Sequence, residues 1–130
     1  MPDLPERLEG EPLPITQEGI LRYARLSNDF NPLHTDPEFA RRTPYGGTIA
    51  HGTLNFAPVL GTLARLTGDP WLRGVEVTVR FIAPARPGDT LTPTLERRPE
   101  EDTPTALAYR VACRNQEGQE VLVGTAHLPR

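Results

Sequence analysis

The stretch that decides the fold of this chain is HGTLNFAPVLGTLARLTG, residues 51–68. Apolar side chains recur in it at steps of three and four residues, which is the period of an α-helix. A helix that is apolar nearly all round is buried, and Thr67-Gly68 is a typical C-terminal cap. Pro58 would cost roughly 3 kcal/mol inside a regular helix. We therefore expect regular helix to begin near Asn55, or the helix to kink. The apolar positions are Leu54, Phe56, Ala57, Val59, Leu60, Leu63, Ala64 and Leu66.

After residue 70 the apolar period changes from 3.6 to 2, which indicates β-strands. The first strand runs over residues 75–81 and the second over 91–95, where Pro93 favours a sheet edge or a bulge. The third covers 107–113 and the fourth about 120–128. The pattern predicts an α+β fold in which a curved antiparallel sheet wraps one long helix. Its open edge suits pairing with a second subunit.

The residues before the long helix predict smaller elements. Thr16 is a plausible N-cap for a helix that ends near Leu26. Asp36-Pro37 predicts the start of a short helix that reaches about Arg42. Residues 9–13 are expected to form at most a short edge strand.

Composition restricts the class of protein. The 130 residues fit a single domain, residues 1–130. A net charge of −3 argues against nucleic acid as a partner. No stretch resembles a signal peptide or a membrane span, so no membrane partner is expected. One cysteine, Cys113, suits a reducing compartment, and we expect a cytoplasmic protein.

The segment SNDFNPLHTD, residues 27–36, carries the candidate chemistry. Pro32 disfavours helical geometry at the preceding residue, so Asp29 and His34 are expected on a non-helical turn with both side chains directed at one spot. Phe30 and Leu33 would point inward. A histidine beside a carboxylate suits proton transfer near neutral pH. The alternative is purely structural, because Asp and Asn are common turn formers.

His51-Gly52 is a second candidate element. A glycine allows a ligand to approach the backbone, and the free N–H groups at a helix start can hold a developing anion. The alternative is that Gly52 only permits close packing and that His51 has a structural role.

Other chemistries have weaker support. Asp29, His34 and His51 have no spacing typical of a metal motif, so no metal is expected. Cys113 lies in an apolar alternation, which indicates a core residue. The sequence contains no G-x-S-x-G elbow and no phosphate-binding loop.

Four segments resemble the MaoC-like (R)-specific enoyl-CoA hydratases and dehydratases: residues 27–34, 49–54, 79–91 and 123–126. The resemblance implies a hot-dog fold, no cofactor, and a homodimer or higher homo-oligomer. It also implies reversible hydration of trans-2-enoyl thioesters of coenzyme A or an acyl-carrier protein to (R)-3-hydroxyacyl thioesters. Asp29 and His34 would activate the water, and the Gly52 N–H would bind the thioester oxygen. The implied substrate-binding residues are Asn31, Ala50, His51 and Thr53.

The chain departs from the family pattern at Asn28, where glycine is usual, and at Leu60, where some members carry serine. Two other functions stay open within the same fold, the second of them because of these departures. One is a thioesterase, and the other is a non-catalytic module that binds acyl thioesters.

Overall fold

The computed structural model describes residues 4–130. It contains six strands and four α-helices, with one short 3-10 turn at Pro99–Glu101. The elements in chain order are β1 Arg7–Glu9, β2 Leu13–Pro14, α1 Gln17–Ser27, α2 Pro32–Thr35, α3 Pro37–Arg41, α4 Gly52–Thr67, β3 Glu76–Phe81, β4 Thr90–Arg97, β5 Ala106–Arg114 and β6 Glu120–Pro129.

All strand pairs are antiparallel, and the sheet order is β1-β4-β5-β6-β3 with β2 pairing β4 beside β1. Helix α4 packs against β4, β5 and β6. Its Val59 and Leu63 join a core that includes Leu91, Leu95 and Val111. The expected α+β arrangement of one long helix on an antiparallel sheet is confirmed. Within residues 4–130, none of the helices is both long and apolar enough to cross a bilayer.

Helix α4 begins at Gly52, so the expectation of a start near Asn55 is wrong. Pro58 lies inside the helix, where its missing N–H leaves the Leu54 carbonyl without its usual partner. The Thr62 hydroxyl donates to the Pro58 carbonyl, 2.7 Å away. Because the helix begins at Gly52, both Gly52 and Asn55 lie at its N-terminal end.

Burial of α4 is also more one-sided than the apolar pattern predicts. The sheet covers a single face, so Asn55, Val59, Thr62 and Leu63 are buried. On the opposite face small and charged residues are exposed at four-residue steps: Thr53, Ala57, Gly61 and Arg65. The expectation of nearly complete burial is wrong for the single chain.

Pro93 does not place its strand at the edge, because β4 has β1 and β2 on one side and β5 on the other. The Pro93 carbonyl accepts from Gly10 N–H, 2.9 Å away, between the ends of β1 and β2. The backbone nitrogen and the carbonyl of one strand residue point to the same side of the strand. The Pro93 nitrogen, which has no hydrogen to donate, therefore faces the gap between β1 and β2. A side chain at Gly10 would collide with Thr62. Two short strands therefore replace the single edge strand expected over residues 9–13.

Candidate active site

Asn28 sets the path of the chain into the site. It caps the C-terminus of α1 with φ 58° and ψ 33°, and its N–H donates to the Ala24 carbonyl. The left-handed region costs most L-residues about 1–2 kcal/mol, and Asn enters it more readily than most. The reversal ends α1 and places Asp29 off the helix, with the Asp29 N–H also bonded to Ala24 at 3.1 Å.

The segment after Asp29 is a helical turn, which corrects the expectation of a non-helical one. Pro32 occupies the first position of α2, where its missing N–H is not needed. The Asn31 side chain caps this turn by accepting from Leu33 N–H at 2.9 Å. Phe30 is 55% exposed, so the prediction that it points inward is wrong. Leu33 is half-buried.

His34 is held in one tautomer by its backbone contact. Its Nδ1 lies 2.8 Å from the Ile49 carbonyl oxygen, which can only accept, so Nδ1–H donates. In the neutral ring, Nε2 then carries the free lone pair. A second bond, from Ile49 N–H to the Leu33 carbonyl at 3.2 Å, ties the same two segments together. The arrangement makes Nε2 the ring nitrogen that can accept a proton, as a general base requires.

His51 touches both candidate catalytic residues. Its ring is 2% exposed and stacks on the His34 ring with centroids 3.9 Å apart. Its Nε2 donates to the Asp29 carbonyl at 3.0 Å. Tyr23 also packs against the His51 ring, in an edge contact with ring centroids 4.9 Å apart. The buried Nδ1 has no partner among residues 4–130. These contacts hold Asp29 and His34 in a fixed relation.

Asp29, His34 and His51 are brought together as one cluster. A carboxylate oxygen and one nitrogen from each ring lie within 4.8 Å of one another. An imidazole binds a metal in the plane of its ring, and these rings are stacked with an interplanar angle of 26°. Their lone pairs lie in two nearly parallel planes, which is unfavourable for binding one ion in the plane of both rings. The geometry suits a water or a reacting proton better than a metal.

The N-terminus of α4 carries backbone N–H groups that have no acceptor among residues 4–130. His51 is the N-cap residue and gives no side-chain cap bond. Its carbonyl receives the N–H groups of Leu54 and Asn55 at 3.0 and 3.2 Å, whereas Gly52 N–H lies in the first turn, where helices lack internal acceptors. A Cβ at Gly52 would stand 3.1 Å from the Phe81 ring. The missing side chain therefore keeps this end of the helix open.

A cavity of about 420 Å³ lies beside these donors. Three predicted residues line it: His34, Ala50 and Gly52. The side-chain oxygen of Asn31 already accepts the Leu33 N–H at the start of α2. The exposed Thr53 accepts from Tyr23 Oη at 2.6 Å. Sequence reasoning missed the other lining residues, which are Tyr45, Ile49, Asn55, Phe81, Ile82, Ala83 and Pro84.

The missed residues differ in the signal that they carry. Asn55 is a polar residue within the apolar pattern of α4, and that exception was visible in the sequence. Phe81 ends an alternating strand and Ile82 follows it, and the two are about half exposed, at 52% and 49%. Only the pairing of β3 with β6 brings them beside α4. Cys113 is fully buried as expected, and burial raises the pKa of its thiol to about 12.

Comparison with known proteins identifies the family of the chain. The family model described as a MaoC like domain matches residues 5–112. A 3-hydroxybutyryl-CoA dehydratase of Methylorubrum extorquens is 36% identical over 112 residues, covering 84% of this chain and 68% of the relative. An (R)-specific enoyl-CoA hydratase of Rhodospirillum rubrum is 35% identical over 115 residues, covering 86% and 77%.

Solved structures give the same result at the level of the fold. An (R)-hydratase from A. caviae involved in PHA biosynthesis superposes with a TM-score of 0.77 at 26% identity, covering 98% of this chain and 97% of that one. The hot-dog architecture expected from the resemblance is therefore confirmed. The chain belongs to the MaoC-like domain family.

Proposed function

We propose that the chain catalyses the reversible addition of water to trans-2-enoyl thioesters, giving (R)-3-hydroxyacyl thioesters. The observation that supports it most strongly is the placement of His34, whose Nδ1–H is bonded to the Ile49 carbonyl and whose ring lies in the same cluster as the Asp29 carboxylate. Its relatives include an (R)-specific enoyl-CoA hydratase and a 3-hydroxybutyryl-CoA dehydratase. The reaction needs only proton transfer and anion stabilisation, so the proposal includes no cofactor.

The side chains have complementary roles in this reaction. Asp29 and His34 hold a water, and His34 Nε2 accepts its proton as the oxygen adds to C3. The electron pair of the C2–C3 double bond moves toward the thioester carbonyl, whose oxygen gains negative charge. The Gly52 N–H stabilises that charge from the start of α4. One member of the acid/base pair returns a proton to C2, which completes the addition.

The cavity suits an acyl thioester. Apolar atoms of Ile49, Phe81 and Ile82 supply contact surface for an acyl chain. His34 and Gly52 both line the cavity, so a substrate in it can meet the base and the anion donor together. The carrier of the thioester is proposed to be coenzyme A or an acyl-carrier protein.

The proposal is tested by following the enoyl-thioester absorbance with purified protein over several chain lengths. We expect turnover by the wild type and at least about a 100-fold loss of kcat in Asp29→Asn and in His34→Ala, because each removes part of the proton-transfer pair. Glu38→Gln is the matched control, since it removes a nearby exposed carboxylate on α3 that pairs only with Arg41 among residues 4–130. Its kcat should equal that of the wild type.

Two outcomes would contradict the proposal. A folded wild-type protein that converts none of the enoyl thioesters would exclude a hydratase. Release of free thiol from acyl thioesters, without hydration, would instead identify a thioesterase. Circular dichroism of each variant checks that a lost activity is not a lost fold.

We also propose that the protein acts as a single-domain homodimer in the cytoplasm. The outer edge of β3 pairs with no strand among residues 4–130, and Phe81 and Ile82 are exposed beside it. Antiparallel pairing of β3 with β3 of a second copy would satisfy that edge. Analytical ultracentrifugation should give twice the chain mass of 14.4 kDa. A monomer at concentrations where the protein is active would contradict the dimer.

A further inference from the structure

Asn55 is a buried polar residue that the fold does not use. It is 3% exposed, it lines the cavity, and its Oδ1 is enclosed without a hydrogen-bond partner among residues 4–130. Buried polar groups in folded proteins are nearly always paired, because an unpaired one destabilises the folded state. An apolar residue of the same size would serve the packing of α4 better. The position therefore indicates a role outside folding.

The position of Asn55 on α4 indicates what that role is. Asn55 follows Gly52 by three residues, so the two lie on the same face of the helix. A helical side chain leans toward the N-terminus of its helix, which directs the carboxamide over the turn that begins at Gly52. Much of the surrounding wall is apolar, including Ala50, Ile82 and Ala83. Because Oδ1 is the enclosed atom, the Nδ2 side of the carboxamide is the one that can reach the cavity, and its two N–H donors suit an oxygen acceptor in such a wall.

We propose that Asn55 is a further catalytic residue, which donates from Nδ2 to the same thioester oxygen that Gly52 N–H binds. The inference rests on the proposed function, because it needs an acyl thioester in this cavity. Two donors from one helical turn would then meet the oxygen on which negative charge develops. Such donors act most strongly in the transition state, because the charge is largest there.

Kinetics and stability together test the proposal. Asn55→Leu keeps the approximate size and removes both polar atoms, whereas Asn55→Asp keeps the shape and removes the N–H donors. For both variants we expect kcat to fall about 100-fold, as for loss of one oxyanion donor, with a smaller change in KM. The melting temperature of Asn55→Leu should rise, since the unpaired oxygen is gone.

Thr62→Val is the matched control. Thr62 is a second buried polar residue of α4, but its hydroxyl is bonded to the Pro58 carbonyl, and it does not line the cavity. Its kcat should match that of the wild type. Wild-type kcat in Asn55→Leu, an effect on KM alone, or a kcat loss matched by a lower melting temperature in both Asn55 variants would overturn the proposal.

A binding measurement separates this inference from the proposed reaction. Butanoyl-CoA labelled with ¹³C at the carbonyl has no double bond to hydrate, and infrared difference spectra report hydrogen bonding to its oxygen. We expect the bound carbonyl frequency to be lower than in water for the wild type and Thr62→Val, and to rise in Asn55→Leu. If the wild type hydrates no enoyl thioester but shows this pattern, only the reaction is wrong. If it hydrates them and Asn55→Leu leaves the frequency unchanged, only the role of Asn55 is wrong.

Discussion

Asn28 shows how one residue controls the geometry of the site. Its backbone lies in the left-handed region at φ 58°, which ends α1 and directs Asp29 away from the helix axis. Asn is one of the few residues that tolerate this conformation. The departure from glycine at this position therefore leaves the turn intact. His51 adds to the same control from the other side, since it is bonded to the Asp29 carbonyl.

The left-handed conformation of Asn28 predicts different outcomes for its replacement by glycine and by alanine. Asn28→Gly should keep both stability and activity, because glycine adopts positive φ without strain. Asn28→Ala should lower the free energy of unfolding by about 1–2 kcal/mol and reduce kcat by displacing Asp29. Urea denaturation and steady-state kinetics of both variants check this. Equal stability and activity in the two variants would show that the turn does not position Asp29.

Helix α4 combines a structural and a chemical function in one element. Its Val59 and Leu63 fill the core, while its first turn presents Gly52 and Asn55 to the cavity. The apolar period of the helix was readable from the sequence, and it located the core correctly. The burial of a single face was not readable, because the period does not say how much of the helix the sheet covers.

Two glycines of α4 give a matched pair of substitutions. Gly52→Ala places a Cβ 3.1 Å from the Phe81 ring and narrows the cavity, so we expect kcat/KM to fall about 10- to 100-fold. Gly61→Ala meets no atom within 4 Å. It should keep full activity and raise the free energy of unfolding by about 0.5–1 kcal/mol, because alanine favours helix. Kinetics and thermal unfolding of both variants check the contrast. Equal activity in the two would mean that the space at Gly52 is not needed.

Ion pairs support the sheet as a whole, at β4, β5 and β6. Asp102 accepts from Arg97 at 2.6 and 2.7 Å, and from the Ala108 N–H at 2.7 Å. These bonds tie the connection after β4 to β5. The hydrogen bond from Arg97 holds the pKa of the Asp102 carboxyl well below its ordinary value of 3.8. Glu120 is similarly held by Arg110 and Arg114, and its pKa is lowered chiefly by the hydrogen bond from Arg110.

The sign of the Asp102 effect gives a pH prediction. A carboxyl group whose pKa is lower in the folded than in the unfolded state stabilises the fold at pH values above its unfolded-state pKa. This contribution is lost as the pH falls through the folded-state pKa. Asp102→Asn should therefore be less stable than the wild type at neutral pH. The difference should shrink as pH falls below 3.8. Denaturant unfolding from pH 7 to 2 checks this. Glu100→Gln, which removes a more exposed carboxylate 4.0 Å from Arg98, is the control and should follow the wild type.

The sequence by itself determined the order of the longer elements α1, α4 and β3 to β6, the core-facing period of α4 and the candidate residues Asp29, His34 and Gly52. These features depend on local rules: helical period, strand alternation, and the residues that start and stop helices. The polar Asn55 within the apolar pattern of α4 was also visible in the sequence, although only the structure shows that its side chain is buried.

Tertiary structure alone decided the relations between distant segments. The His34 tautomer depends on the Ile49 carbonyl, and the His34–His51 stack joins residues seventeen apart along the chain. The cavity wall at Phe81 exists because β3 pairs with β6 beside α4. Pro93 lies within the sheet only because the edge is divided between β1 and β2. Each of these contacts is set by packing between elements, and no local sequence pattern records such packing.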